Sequence, residues 1–235
     1  MRLDKFLCDN NIGTRSQVKE YIKKGQVAIN GQIVKKPETK VNEDTDIVIC
    51  QGKEIHYQKY VYYMLNKPEG VVSATNDNTA PTVVSLLTVP EQKELFPVGR
   101  LDKNSRGLLL MTNQGDLVNQ IMRSRYHHEK EYIVRVDRPI DATFVERMAA
   151  GVYLSELKVT TRPCKVEKLS KFTFRIILTQ GLNRQIRRMC MECGYHVRDL
   201  ERVRIMNLTL DGIAEGQYRP ITAAEFAELQ KLLRG

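Results

Sequence analysis

Residues 96–115, FPVGRLDKNSRGLLLMTNQG, set one carboxylate, Asp102, in a short polar stretch between two apolar runs, Phe96 to Val98 and Leu108 to Met111. An aspartate in a turn between buried strands can do no more than accept backbone N–H groups. Its company points further. Arg100 and Arg106 flank it, and far along the chain GLNRQIRRM (181–189) spreads Arg184, Arg187 and Arg188 round the start of a helix. One of these can face an acidic partner while the others face phosphate. An arginine held against a half-buried aspartate favours the ionised carboxylate, the form a nucleophile or base requires and a general acid cannot use. HEKEY (128–132) adds Lys130 and Tyr132, two residues apart and so on one face of a strand. If that face meets the aspartate, the tyrosine ring can stack on a nucleobase, worth roughly 1–3 kcal/mol.

Other chemistries find less support. Cys190, Cys193 and His196 have helical spacing, but a structural zinc site wants four ligands and Cys8, Cys50 and Cys164 lie in unrelated segments. Two buried thiols and a surface histidine are expected there, and no metal. Cys164 has no neighbouring base to make it a nucleophile. Neither G-x-x-x-x-G-K nor G-x-G-x-x-G occurs, so no nucleotide-phosphate loop is expected. A glycoside or nucleoside hydrolase would want two opposed carboxylates, and Asp102 has no evident partner.

The elements that must position these groups can be read from periodicity and capping. Strands are expected at 62–67, at 71–75 after a Lys-Pro-x-Gly turn, and at 96–98, 108–112, 131–137, 158–166, 172–179 and 203–210. Helices are expected at 116–123 with Asp116 as cap, 142–150 between Asp141 and Gly151, 183–193, and 223–233 with Thr222 and Glu225 as a capping box. Strands and helices do not alternate strictly, which predicts an α+β domain with a mixed, largely antiparallel sheet.

Ahead of this domain, residues 1–55 read as a unit of their own, joined by a polar linker at 56–61 to a domain spanning 62–235. Leu3, Phe6 and Leu7 recur at helical spacing. Thr14 and Gln17 form a capping box for a helix with Val18, Tyr21 and Ile22 inward and Gly25 at its end, and Asn30-Gly31 signals a hairpin. The whole chain of 235 residues carries 37 basic and 28 acidic residues, a net charge of +9. Residues 1–40 contribute nine basic and four acidic residues, so +5 of that +9 lies in about the first sixth of the chain. Arg2, Lys5, Arg15, Lys19 and Lys23 are the expected contacts to a phosphate backbone, the last three at four-residue spacing on one helix face. The opening MRLDKFLCDN reads as neither a signal nor a transit peptide, and the five scattered cysteines suit a reducing cytoplasm. No membrane association is expected.

RLDKFL, GTRSQV and then I-x-x-G-Q-V-x-I-N-G resemble the small RNA-binding domain named after ribosomal protein S4. GRLDKNSRGLLLMTNQG resembles the aspartate motif of pseudouridine synthases, with Ser105 where the family often has threonine. KEY, GLNRQIRRM and NKPEG (66–70) match further motifs of the branch that modifies ribosomal RNA through an N-terminal S4-type domain. The resemblance implies a pseudouridine synthase fold and an isomerase that breaks the bond from ribose to uracil nitrogen and rejoins the base through ring carbon five. It implies Asp102 as the catalytic aspartate, adding to the anomeric carbon or assisting glycal formation. It makes Tyr132 the residue that stacks on the target uracil and Arg187 the partner of the aspartate. Arg100, Lys130 and Arg184 would hold phosphates or the loop, and Leu178 or Ile186 would be the active-site apolar residue. The expected substrate is ribosomal RNA, first that of the large subunit, with small-subunit ribosomal RNA or transfer RNA as alternatives. No cofactor and a monomeric enzyme are expected. A non-catalytic RNA-binding assembly factor would use the same basic unit without needing Asp102.

Overall fold

The computed structural model describes residues 1–10, 12–43, 45–55, 60–123 and 127–234, and the chain divides into two compact units, Met1–Tyr60 and Val61–Gly235. Residues 56–59 of the expected linker lie outside the described residues.

In the first unit α1 (Leu3–Asp9) packs on α2 (Arg15–Lys23). Thr14 caps α2 through the reciprocal box with Gln17, and Gly25 follows its end at φ +70°. Leu3, Phe6, Leu7, Val18 and Ile22 are buried against a four-stranded sheet of β1 (Val27–Ile29), β2 (Gln32–Ile33), β3 (Val48–Cys50) and β4 (Lys53–Ile55), in the order β2-β1-β3-β4. Asn30 and Gly31 both take positive φ, 49° and 80°, as a type I′ hairpin demands. The helices therefore turn their apolar faces inward and leave their basic residues outside. Arg2, Lys5, Arg15 and Lys19 line a shallow hollow together with Asp4.

The second unit is built on one twisted sheet. Its strands are β5 (Tyr62–Lys67), β6 (Phe96–Val98), β7 (Arg106–Thr112), β8 (Lys130–Val136), β11 (Lys165–Lys168), β12 (Thr173–Leu178), β13 (Val197–Ile205), β14 (Leu208–Thr209) and β15 (Tyr218–Pro220). The main path runs β11-β12-β8-β13-β7-β5-β15, with β6 on β7 and β14 on β13. Among the strands of the described residues only β13 and β7 pair in parallel, so the expected mixed, mostly antiparallel α+β architecture is what forms. The helices are α3 (Gly115–Met122), α4 (Ala142–Ala150), α5 (Gln185–Glu192) and α6 (Ala223–Arg234); β9 (Tyr153–Leu154) and β10 (Val159–Thr160) form a separate hairpin. Among the described residues no helix is long and apolar enough to cross a membrane.

The unbroken apolar run in β7 has a direct cause. Leu108 and Leu110 pack with Met64, Leu117, Ile121 and Leu229 on one face, and Leu109 and Met111 pack with Leu65, Val83, Leu87 and Leu95 on the other. A strand covered on both faces reads as continuous rather than alternating. Gly107, at φ +106°, lets β7 approach β13, because a Cβ there would lie 2.4 Å from the backbone oxygen of Arg202.

Several expected boundaries differ. After the Lys-Pro-Glu-Gly turn there is no second strand: Val72 makes one isolated bridge to Thr82, and Ser73 turns inward to hold a loop. The strand expected at 158–166 breaks into β10 and β11, since Pro163 lacks the N–H a continuous ladder needs. The strand expected at 203–210 begins at Val197 and reverses at Met206, which has φ +52°. Helix α3 starts one residue early, with Gln114 at its cap and Asp116 in its first turn. Helix α5 starts at Gln185, since Arg184 is left-handed at φ +50°. Thr222 and Glu225 do form the capping box of α6.

Candidate active site

Asp102 sits in the loop from Gly99 to Ser105, between β6 and β7, with about one third of its side chain exposed. The loop turns back on itself where the Ser105 N–H donates to the Asp102 carbonyl at 3.0 Å. Four anchors from outside the loop hold it. Buried Ser73 donates its hydroxyl to the Leu101 carbonyl at 2.8 Å and accepts the Leu101 N–H at 3.1 Å. The Gly70 N–H donates to the Lys103 carbonyl at 2.8 Å. Lys67, fully buried at the end of β5, donates Nζ to the carbonyls of Ser105 at 2.6 Å and Pro68 at 3.0 Å. Arg187 donates Nη2 to the Asn104 carbonyl and to Ser105 Oγ. A loop gripped at residues 101, 103, 104 and 105 presents its one carboxylate in a fixed place.

Two arginines pair with the aspartate: Arg187 Nε stands 3.9 Å from Asp102 Oδ2, and Arg184 comes closer, with Nη1 hydrogen-bonded to the same oxygen at 3.3 Å. Arg187 is engaged chiefly with the loop backbone because that is where its helix position points its guanidinium. Burial, then the nearby Arg184, keeps its pKa below the ordinary arginine value. Arg188 turns the other way, to Glu156 and Asn183. Arg106 leaves the site altogether, binding Asp199 through Nε at 3.0 Å and Nη2 at 2.9 Å, and Glu201 through Nη1 at 2.7 Å. Arg100 is exposed on the rim.

Tyr132 and Lys130 share a face of β8, as their spacing requires. Across the sheet Tyr132 stands between Ile176 of β12 and Arg202 of β13, and Lys130 between Leu178 and Ile205. Lys130 is buried and donates to the carbonyls of His128 at 2.9 Å and Ile121 at 3.4 Å. Its role in the fold is to tie β8 to α3. Burial, reinforced by repulsion from Arg202, brings its pKa down to about 8, and burial does the same to Lys67. Arg202 is buried as well, donating Nε to the Leu108 carbonyl at 2.7 Å.

These side chains surround a cavity of about 1110 Å³ lined by Asp102, Lys130, Tyr132, Asn183, Arg184 and Arg202 among others. A recess of about 90 Å³ continues from it, and Leu178 and Ile186 both line it beside Tyr132, Leu200 and Asp102. A small recess where Tyr132, Leu178, Ile186 and Leu200 meet polar side chains beside one carboxylate, opening into a wider chamber lined by Arg100, Lys103, Lys130, Arg184 and Arg202, suits a base attached to a polyanion. Lys67, Ser73, Gly70 and Arg202 hold the site without having been singled out by residue type and spacing. A lysine closing an apolar strand in NKPEG was the available signal for Lys67; Ser73 had none. Cys190 is buried on α5, Cys193 is half-buried and His196 is exposed, and among the described residues no three His, Cys, Asp or Glu side chains cluster as metal ligands would.

Comparison with known proteins bears on this geometry. The family model described as RNA pseudouridylate synthase matches residues 61–192, and the S4 domain model matches residues 1–47. The dual-specificity RNA pseudouridine synthase RluF of Escherichia coli (strain K12) is 44% identical over 239 residues, covering 99% of this chain and 79% of that one. Ribosomal small subunit pseudouridine synthase A of Haemophilus influenzae is 34% identical, covering 98% and 100%. A solved structure described as a pseudouridylate synthase superposes with a TM-score of 0.69 at 32% identity, covering 99% of each chain. The chain belongs to the RNA pseudouridine synthases, in the branch that carries an S4 domain ahead of the catalytic domain.

Proposed function

We propose that the protein converts a specific uridine of ribosomal RNA, that of the large subunit, to pseudouridine, with Asp102 as the catalytic residue. The observation that carries this is the anchored loop: four outside anchors hold one carboxylate at a recess flanked by Tyr132, Leu178 and Ile186. The reaction breaks C1′–N1 and forms C1′–C5; the proton leaves C5 and one is gained at N1, so nothing is oxidised and no energy donor is consumed. The uridine must leave its stack to reach the recess. Tyr132 then lies along the base, Leu178 and Ile186 close the recess, and Asp102 acts at the ribose. Arg184 steadies the carboxylate, while Arg100 on the rim faces the RNA backbone. The basic face of the first unit, with Arg2, Lys5, Arg15, Lys19 and Lys23, holds the surrounding RNA. The dual specificity in the name of the Escherichia coli relative supports a second RNA substrate, for which small-subunit ribosomal RNA and transfer RNA are the candidates.

The test is Asp102→Asn. It should abolish tritium release from C5-labelled uridine in RNA while leaving RNA affinity within a few-fold, as expected for a group that acts on the transition state. Retained turnover overturns the assignment of Asp102, whereas no tritium release from the unaltered protein would favour the assembly-factor reading. Mapping pseudouridines in ribosomal and transfer RNA with and without the protein identifies the position modified.

A further inference from the structure

Arg184, the residue hydrogen-bonded to Asp102, has φ +50°. Non-glycine residues seldom take that conformation, and a neighbour must hold it. That neighbour is Arg188. Its Nε donates to the Asn183 carbonyl at 3.0 Å and its Nη2 to Asn183 Oδ1 at 3.1 Å, so a two-pronged grip fixes the peptide unit leading into Arg184. Its backbone N–H donates to the Arg184 carbonyl at 3.0 Å. The remaining nitrogen, Nη1, pairs with Glu156 at the tip of the β9–β10 hairpin. The hairpin is itself fastened, for Ser155 donates its N–H to Glu192 Oε1 at 2.9 Å at the far end of α5, and Arg162 donates its N–H to Gln180 Oε1 at 2.8 Å just before the loop. Arg188 lines neither the cavity nor the recess.

We propose that Arg188, fixed by Glu156, is a positioning residue that sets Arg184 against Asp102, which makes the β9–β10 hairpin a brace for the active site. The inference rests on the reading of Asp102 and Arg184 given above. Glu156 supplies charge and direction, and the guanidinium plane transmits it to Asn183. Lysine could keep the first interaction but not the paired second one.

The experiment is a double-mutant cycle. Arg188→Lys should lower kcat on RNA by about tenfold, the equivalent of ~1.4 kcal/mol in the barrier, with KM changed by no more than about twofold. In an Arg184→Met background the same substitution should cost nothing further, because its effect passes through Arg184. Wild-type kcat in Arg188→Lys, or losses that multiply in the double variant, would overturn the proposal. Glu156→Gln, at an exposed tip, gives a second cycle should Arg188→Lys fail to fold: a several-fold loss absorbed by Arg184→Met is expected, and multiplying losses count against it. The charge-swapped pair Glu156→Arg with Arg188→Glu restores the ion pair but not the donors to Asn183, so activity should stay low; full recovery would reduce the interaction to a hairpin latch. If Asp102→Asn is inactive and the losses multiply, only this inference falls; if Asp102→Asn turns over, the proposed function falls first.

Discussion

Replacing Lys67 by methionine removes a fully buried ammonium and keeps most of its volume. Lys67 donates to the carbonyls of Ser105 and Pro68 and to no carboxylate. Losing two charge-assisted hydrogen bonds costs roughly 3–6 kcal/mol at ~1.5–3 each. Against that, burial has lowered the lysine pKa from 10.5 to about 8, so keeping it protonated at neutral pH costs the native state about 3 kcal/mol, which the variant recovers. The net loss is therefore about 0–3 kcal/mol, at most roughly 10 °C in Tm for a unit of this size. Catalysis should suffer more, because the Asp102 loop is no longer held at Ser105: a displacement near 1 Å costs up to about a hundredfold in kcat. The pH dependence is distinctive. Between pH 8 and 10.5 the unfolded chain holds a proton on this residue that the native one has released, so wild-type stability rises with pH through that window. The variant lacks this gain, so its deficit against wild type should widen with pH by up to ~1.4 kcal/mol per unit. Denaturant unfolding at pH 7 and pH 9.5, beside single-turnover rates on RNA, checks both parts. A variant with wild-type kcat, or a deficit that does not change with pH, would refute the anchoring role or the buried ammonium respectively.

Two further outcomes follow from the packing and the charge. Gly107→Ala should destabilise the second unit by several kcal/mol, since its Cβ would meet the Arg202 backbone at 2.4 Å at φ +106°, where no side chain can move aside; a thermal melt within a few degrees of wild type would show that β7 and β13 can separate. Arg15→Ala with Lys19→Ala should leave the folded structure intact and lower the slope of log affinity for RNA against log salt by about 2, one for each phosphate no longer neutralised; an unchanged slope would place the RNA elsewhere on the first unit.

Much of the fold was legible because its signals are local. The Thr14 and Thr222 capping boxes, the Asp141 cap and the Asn30-Gly31 turn depend on residues within a few positions, and each forms as the spacing requires. The boundaries that moved did so for reasons outside local pattern. Val71 to Thr75 has the composition of a strand, yet Ser73 is drawn into a pair of hydrogen bonds with Leu101, 28 residues on. The uninterrupted Leu108 to Met111 run signalled burial, but its two separate cores become visible only with the layers in place.

At the site, residue types and spacing alone fixed which groups are available: one aspartate between buried strands, a tyrosine and lysine on one strand face, and a helix start crowded with arginines. Folding does not change that chemistry. The packed fold settled which arginine does what. Arg184, Arg187 and Arg188 are near-neighbours in sequence, but the left-handed turn at Arg184 and the helix that follows send the first to Asp102, the second to the loop backbone and the same carboxylate, and the third to Glu156. A guanidinium at the end of a long side chain reaches whatever acceptor the tertiary structure brings within about 3 Å, and those acceptors come from segments 32 to 83 residues away.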